Sequence, residues 1–264
     1  MNTKIGITGG SGLIGKILIK ILKKKKIKFT CYKKDIRDDK SIKEWLLKNK
    51  DIDKICHLAA IVPTNLVNKN RNKSIAVNLK GTIALYNAVK SLNKNIWFFF
   101  ASTSHIYKSK NTPLKENDKI KPTSFYGETK LMAENFLQKE NNKKIKICIG
   151  RIFSIFHNNQ KKPFFYPSMV SKFKNKKNIY NKVFILKGGL SVRDFSSADD
   201  VANIIIKLSK KKAKGVINIG SGVKITLLDF IKKYINNDIK IKSIGKRNTL
   251  TANISKLKKL SILK

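Results

Sequence analysis

Apolar runs and helix-like periods alternate through the first 150 residues of the chain. The runs "KIGIT" (4–8), "IKFTCY" (27–32), "DKICHL" (53–58), "IWFFFA" (96–101) and "IKICIG" (145–150) are short and rich in β-branched or aromatic residues, which predicts strands. Between them, apolar positions recurring every three or four residues predict helices near 13–24, 39–49, 72–92 and 124–140. Strands that are apolar almost throughout, separated by helices, predict a parallel sheet covered on both faces, an open doubly wound α/β architecture. Ligands in such sheets bind at the carboxyl ends of the strands.

From about 156 the rhythm loosens. "HNNQKKPFFYP" (157–167) reads as a loop with two prolines, followed by a helix near 167–175, a strand "KVFIL" (182–186), a helix after Asp199, a strand "GVINIG" (215–220) and a helix after Thr226. The division expected is a main domain over 1–155 and a smaller lobe over 156–264 that can return strands to the first. No internal repeat is visible, and the lysine-rich tail after 255 reads as either helix or fray.

A chain of 264 residues can bury roughly 70–75% of its unfolded surface. Cys31, Cys56 and Cys148 each lie in a mainly apolar run without a Cys-x-x-Cys pair, so they read as buried free thiols in a reducing, cytoplasmic compartment, and no metal site is expected. Met1-Asn2-Thr3 runs straight into the first strand, so no targeting segment is expected. "LIGKILIKIL" is interrupted by lysines and too short to span a bilayer, so no membrane is expected. The net charge of +42 would ordinarily suggest a nucleic-acid partner. The lysines are spread over nearly every helix and loop, however, and Ile and Asn are abundant with them. That pattern fits a coding bias toward A and T, and no specific nucleic acid is expected.

"ITGGSGLIG" (7–15) comes directly after the first strand and opens the first helix. Gly9, Gly12 and Gly15 allow a tight turn, close approach of backbone to a pyrophosphate and close helix packing, and the helix N-terminus favours anions. Ser11, Leu13 and Ile14 of the same turn join them as predicted cofactor contacts. The second strand ends at Tyr32, where an acidic residue would bind the adenosine ribose, yet Lys33 and Lys34 follow. A cation there suits a 2′-phosphate, so NADP is the cofactor expected, with NAD as the alternative.

The glycine loop, "DIRD" (35–38), "HLAA" (57–60), "VNLKGT" (77–82), "STSHIY" (102–107), "YGETK" (126–130) and "SVRDFSSADDVA" (191–202) occur in the order found in the extended short-chain dehydrogenases/reductases. The likeness continues through "GVINIGSGVKITLLDF" (215–230) to "ANISKLKKL" (252–260), and the chain resembles the NAD-dependent epimerase/dehydratase family over nearly its whole length. The resemblance implies a Rossmann-like dinucleotide-binding domain over 1–155, a substrate lobe after it, a nucleotide-sugar substrate in polysaccharide biosynthesis, and a homodimer formed through the helices near 72–92 and 124–140. It places Asp35 and Ile36 beside the adenine, Leu58, Ala59 and Ala60 along the cofactor cleft, Asn78 in support, and Phe153 with the cofactor. On their own, "DIRD" could cap the helix at 39, His57 reads as a satisfied core histidine, and Asn78 could be an ordinary helix residue.

Tyr126 and Lys130 stand four positions apart, on one helical face. Tyrosine titrates near ~10, and a nearby ammonium, or a cationic oxidised nicotinamide, would lower that. The resemblance makes Thr103, Tyr126 and Lys130 the catalytic set: Tyr126 exchanges a proton with a sugar oxygen, Thr103 holds that oxygen, and Lys130 also binds the nicotinamide ribose. The family's 4,6-dehydratases carry acids after the threonine, whereas Ser104 and His105 stand here, which argues against dehydration. Reduction of a 4-keto group on an NDP-4-keto-6-deoxyhexose is expected, with NAD-dependent 4-epimerisation as the alternative and a non-catalytic dinucleotide- or RNA-binding relative as the distant one. Arg193 and Arg247 are the candidates for the diphosphate, and Ser154 occupies the place of a frequent substrate-binding Asn.

Overall fold

The computed structural model describes residues 3–62, 64–173 and 183–263. Six parallel strands form the central sheet: β1 (Lys4–Thr8), β2 (Lys28–Tyr32), β3 (Ile52–His57), β4 (Ile96–Thr103), β5 (Ile145–Ile152) and β6 (Gly215–Ile219). Their spatial order is β6-β5-β4-β3-β1-β2. The helices packed on this sheet include α1 (Leu13–Lys24), α2 (Asp39–Leu47), α3 (Gly81–Lys90), α4 (Phe125–Lys139) and α5 (Ala198–Lys211).

Strand β4 shows why its sequence is apolar without alternation. Trp97 and Phe99 point into a core shared with Leu18 and Leu22 of α1 and with Val201 and Ile205 of α5. Ile96, Phe98 and Phe100 point the other way, against Ile42 of α2, Leu85 and Tyr86 of α3 and Leu137 of α4. Successive side chains on a strand face opposite sides, so a sheet covered on both faces buries them all. Chain order reverses between β1 and β3, because β2 lies to one side of β1 and β3 to the other. The loops after these two strands flank the switch point, where open sheets of this kind hold their ligands.

The helix expected over 72–92 is present as a continuous run over 71–90 that is widened at its middle. Thr64–Lys69 and Arg71–Ile75 are followed by a π-helical turn at Ala76–Lys80, which leads into α3. Within that turn Asn78 Oδ1 accepts from Ile61 N at 2.8 Å, and its amide donates to Ile61 O and Thr129 Oγ1, each at 3.0 Å. Wide turns of this type occur mostly as single insertions near functional sites.

Beyond 156, α5 and β6 join the main core and sheet. The remainder forms a lobe of short pieces. Val183–Lys187 pairs in parallel with Lys240–Ile244, and Val192–Arg193 lies between Ile225–Thr226 and Thr249–Leu250. Phe195–Ser197 pairs with Ser154–Phe156. The expected helix after the proline loop runs over Phe165–Phe173, its last two predicted positions lying outside the described residues, as do Lys182 and the start Met1-Asn2. The tail adopts a helical turn at Ser255–Lys259. Cys56 and Cys148 are buried free thiols, whereas Cys31 is only half-buried. Among the described residues no helix is long and apolar enough to cross a membrane.

Candidate functional site

The turn after β1 tests whether the chain can hold a dinucleotide. Gly9 has φ +73°, and a Cβ there would lie 2.5 Å from Ala59 N. The loop is thus pressed against the end of β3, across the switch point. A Cβ on Gly15 would meet Gly9 O at 2.3 Å, which seats α1 directly on the loop. A Cβ on Gly12 would meet only Gly9 O, at 3.3 Å, so this glycine faces open space. Helix α1 begins there without a side-chain cap or an acidic residue in its first turn. Ser11 and Gly12 are exposed and Leu13 and Ile14 half-buried. Free N–H groups at an uncapped helix start, beside a glycine without a side chain, fit a pyrophosphate.

At the rim of β2, Lys33 is exposed, and Asp35 is bound by Arg37, whose Nη2 approaches Oδ2 to 2.6 Å. This guanidinium and its backbone N–H hold the Asp35 carboxyl at about 2. Arg37 adds a further cation to Lys33 and Lys34 at the same rim, one that the lysine pair alone does not announce. Ile36 does not stand open beside a ligand; it is buried against the start of α3, where a Cβ on Gly81 would meet its Cγ2 at 2.7 Å. Asp38 caps α2 by accepting from Ser41 N at 3.0 Å, the capping role that "DIRD" allowed.

Leu58, Ala59 and Ala60 are half-buried along the loop after β3. Behind them His57 is held between two threonines, Nδ1 at 2.6 Å from Thr8 Oγ1 and Nε2 at 2.9 Å from Thr82 Oγ1. Burial lowers it to about 3, so it is a neutral structural histidine. Asn78 is buried with its amide engaged as described, a strut between this loop and α4. Phe153 is also interior, packed with Tyr107, Leu114 and Leu250, so its side chain is unavailable to a cofactor.

Ser124 caps α4 through Gly127 N at 3.2 Å, and a Cβ on Gly127 would lie 2.6 Å from His105 O. This close approach brings the helix start against the turn that follows β4. Thr103, the last residue of β4, comes near Tyr126 there, close enough for its hydroxyl to bear on the phenol. Lys130 is buried, its Nζ 4.0 Å from the centroid of the Phe100 ring.

The electrostatics correct one expectation. Burial raises the Tyr126 phenol above its ordinary value, the Thr103 hydrogen bond opposing it, and no ammonium acts to lower it. Lys130 is itself brought down to about 7 by burial, against the pull of Glu134.

Under the site lies a polar network that the sequence reading missed. Glu134, one turn beyond Lys130, accepts from Arg151 Nη2 at 2.8 Å and from the Ser102 hydroxyl. Arg151 Nη1 donates to Tyr107 Oη and to Glu116 O, each at 2.8 Å, and Tyr107 donates to Asn218 Oδ1 at 2.7 Å. The signal was legible only as a Glu four residues after the Lys.

The lobe contains a cavity of about 430 Å³ lined by Lys187, Ser191, Arg193, Leu227, Lys246 and Asn248, among others. Arg193 is half-buried, its Nη1 donating to Val192 O at 2.9 Å. Arg247 is exposed and does not line the cavity; its neighbours Lys246 and Asn248 do. Ser154 is half-buried where the lobe begins, and Asp194 faces away from the cavity to bind Ser221 N and Gly222 N at 2.7 and 2.8 Å.

A glycine turn at the switch point and a Tyr/Lys helix beside it define a dinucleotide-dependent α/β enzyme. Residues 5–220 match the NAD dependent epimerase/dehydratase family, and the chain belongs to this family of extended short-chain dehydrogenases/reductases. It is 34% identical over 229 residues to a GDP-6-deoxy-D-talose 4-dehydrogenase of Aggregatibacter actinomycetemcomitans, covering 83% of this chain and 75% of that one. It is 26% identical over 255 residues to a dTDP-4-dehydro-6-deoxyglucose reductase of Escherichia coli, covering 86% and 79%. In fold it is similar to RMD from Pseudomonas aeruginosa complexed with NADPH, with TM-score 0.85, 20% identity and coverage of 99% and 93%.

Proposed function

We propose that the protein reduces the 4-keto group of an NDP-4-keto-6-deoxyhexose with NADPH. The observation that carries this reading is the close approach of the start of α4, with Tyr126 and Lys130, to the turn that follows Thr103 at the carboxyl end of β4. The 34% identical relative is a 4-dehydrogenase of a GDP-linked 6-deoxyhexose, which supports the same carbon and sugar class.

The glycine turn and the first residues of α1 would hold the pyrophosphate, Leu58 to Ala60 would line the cleft, and Lys33 with Arg37 would take a 2′-phosphate. When bound, the cofactor supplies the hydride. Tyr126 gives its phenolic proton to the oxygen that becomes the alcohol, and Thr103 hydrogen-bonds the same oxygen. The phenol, raised by burial, is protonated at neutral pH, the state from which it can donate. Lys130 would bind the nicotinamide ribose, and Arg193, with Lys187 and Lys246, would hold the diphosphate.

Incubating purified protein with NADPH and a panel of 4-keto nucleotide sugars should deplete NADPH absorbance in step with alcohol formation. Interconversion of 4-epimers without net cofactor consumption would instead assign the 4-epimerase activity. A clear kcat/KM preference for NADH would remove Lys33 and Arg37 from the cofactor set.

A further inference from the structure

His105 has no part in the reading above, yet it lies beside Tyr126 and within reach of the charge of Arg193. The short turn Ser104–Ile106 follows β4 directly, and Thr103 Oγ1 accepts from His105 N at 3.2 Å. Ser104 and Ile106 are buried, whereas the His105 side chain is only partly so. Its ring meets that of Tyr126 edge-on, with centroids 6.1 Å apart and planes at 74°. Arg193, which lines the lobe cavity, is the charge that acts on the imidazole, and burial together with this charge lowers its titration.

The hydrogen bonds of His105 are all made by its backbone: N to Thr103, and O from Thr123 N at 3.0 Å and from Thr123 Oγ1 at 3.4 Å. Among the described residues its two ring nitrogens have no partner. A neutral imidazole offers one donor and one acceptor, the complement of a hydroxyl group. The ring adjoins the phenol assigned to the reacting oxygen, and it lies within reach of the charge of Arg193, the arginine assigned to the diphosphate. A single pyranose ring is the part of a nucleotide sugar that separates those two groups.

We infer that His105 is a substrate-binding residue that hydrogen-bonds a sugar-ring hydroxyl between the carbon facing Tyr126 and the diphosphate facing Arg193. The inference rests on the nucleotide-sugar reading of the cleft. Because the turn is held by its backbone and by the close approach of Gly127, a change of side chain at 105 alters the ring and leaves the turn in place.

Calorimetric titration of the full chain with GDP, UDP and dTDP, and with GDP-mannose, UDP-glucose and dTDP-glucose, tests this. The wild type should bind at least one hexose conjugate more tightly than its parent diphosphate. His105→Phe should weaken that conjugate by roughly 2- to 13-fold, the worth of one neutral hydrogen bond, with bare diphosphate unchanged and His105→Gln recovering part of the loss. Equal losses for conjugate and diphosphate, no loss at all, or a wild type indifferent to the hexose would each overturn the inference. A hexose-specific loss in a protein that never oxidises NADPH would sink the reductase reading and leave His105 as assigned.

Discussion

Arg151 Nη2 donates to Glu134 Oε2 at 2.8 Å in the interior, one turn along α4 from Lys130. The pair is almost wholly buried, and Ser102, Tyr107 and the Glu116 carbonyl answer its remaining polar atoms. Removing one member of such a pair strands the other without water or counter-ion, at a cost of about 3–5 kcal/mol. Glu134→Gln should therefore lower Tm sharply, and adding Arg151→Met should restore part of the loss. A double variant no more stable than the single one would show that the cost arises elsewhere.

Glu134 also bears on pH. Lys130 titrates at about 7 in the fold, against ~10.4 in an unfolded chain. Between those values the unfolded chain binds a proton that the folded one has shed, so stability contributed by this group rises with pH through the window. Below about pH 7 both states hold the proton and the slope disappears. Thermal denaturation of Lys130→Met beside the wild type isolates this term: the wild type should gain Tm relative to the variant from neutral to alkaline pH. Parallel profiles would mean that Lys130 keeps its charge in the folded protein.

Under the proposed reduction, Tyr126→Phe removes the proton to be donated and one hydroxyl. Positioned proton transfer contributes ~10²–10⁴ in rate, and kcat should fall by at least that much while NADPH still binds. Near-wild-type turnover would rule out the phenol as the donor.

The glycine turn separates folding from binding. Gly12→Ala adds a methyl group whose only close neighbour is Gly9 O at 3.3 Å, so Tm should hold while dinucleotide affinity falls. Gly9→Ala combines φ +73° with a 2.5 Å clash against Ala59 N, and should cost both; the backbone strain alone is about 1–3 kcal/mol. The same Kd for NADPH in Gly12→Ala as in the wild type would place the pyrophosphate somewhere else.

Much of this was legible in the sequence because its signals are local. The uninterrupted apolar run at Ile96–Phe100 can be satisfied only between two covered faces. The three glycines after β1 announce a turn whatever surrounds it, and the four-residue spacing of Tyr126 and Lys130 fixes a shared helical face. What escaped depends on distant partners. The lysine was read as a fixed charge, but its charge is set by the apolar wall of Phe100 and by Glu134, and neither effect follows from spacing. Arg247 stands out in the sequence as a fork for a diphosphate, yet the cavity takes its neighbours Lys246 and Asn248 into its lining and leaves it outside. The short ladders at 192–193, 225–226 and 249–250 are two residues each and carry no period to read.

The wide turn at Ala76–Lys80 has a consequence for how this chain can vary. Five residues complete the circuit there instead of the usual four, and the surplus aims Asn78 at the Ile61 backbone and at Thr129. A chain shorter by one position would run straight from Arg71 into α3, and the loop after β3 would lose its anchor to α4. Length at this point is therefore constrained more tightly than amino-acid identity, so deletions should be absent here even where neighbouring side chains change freely.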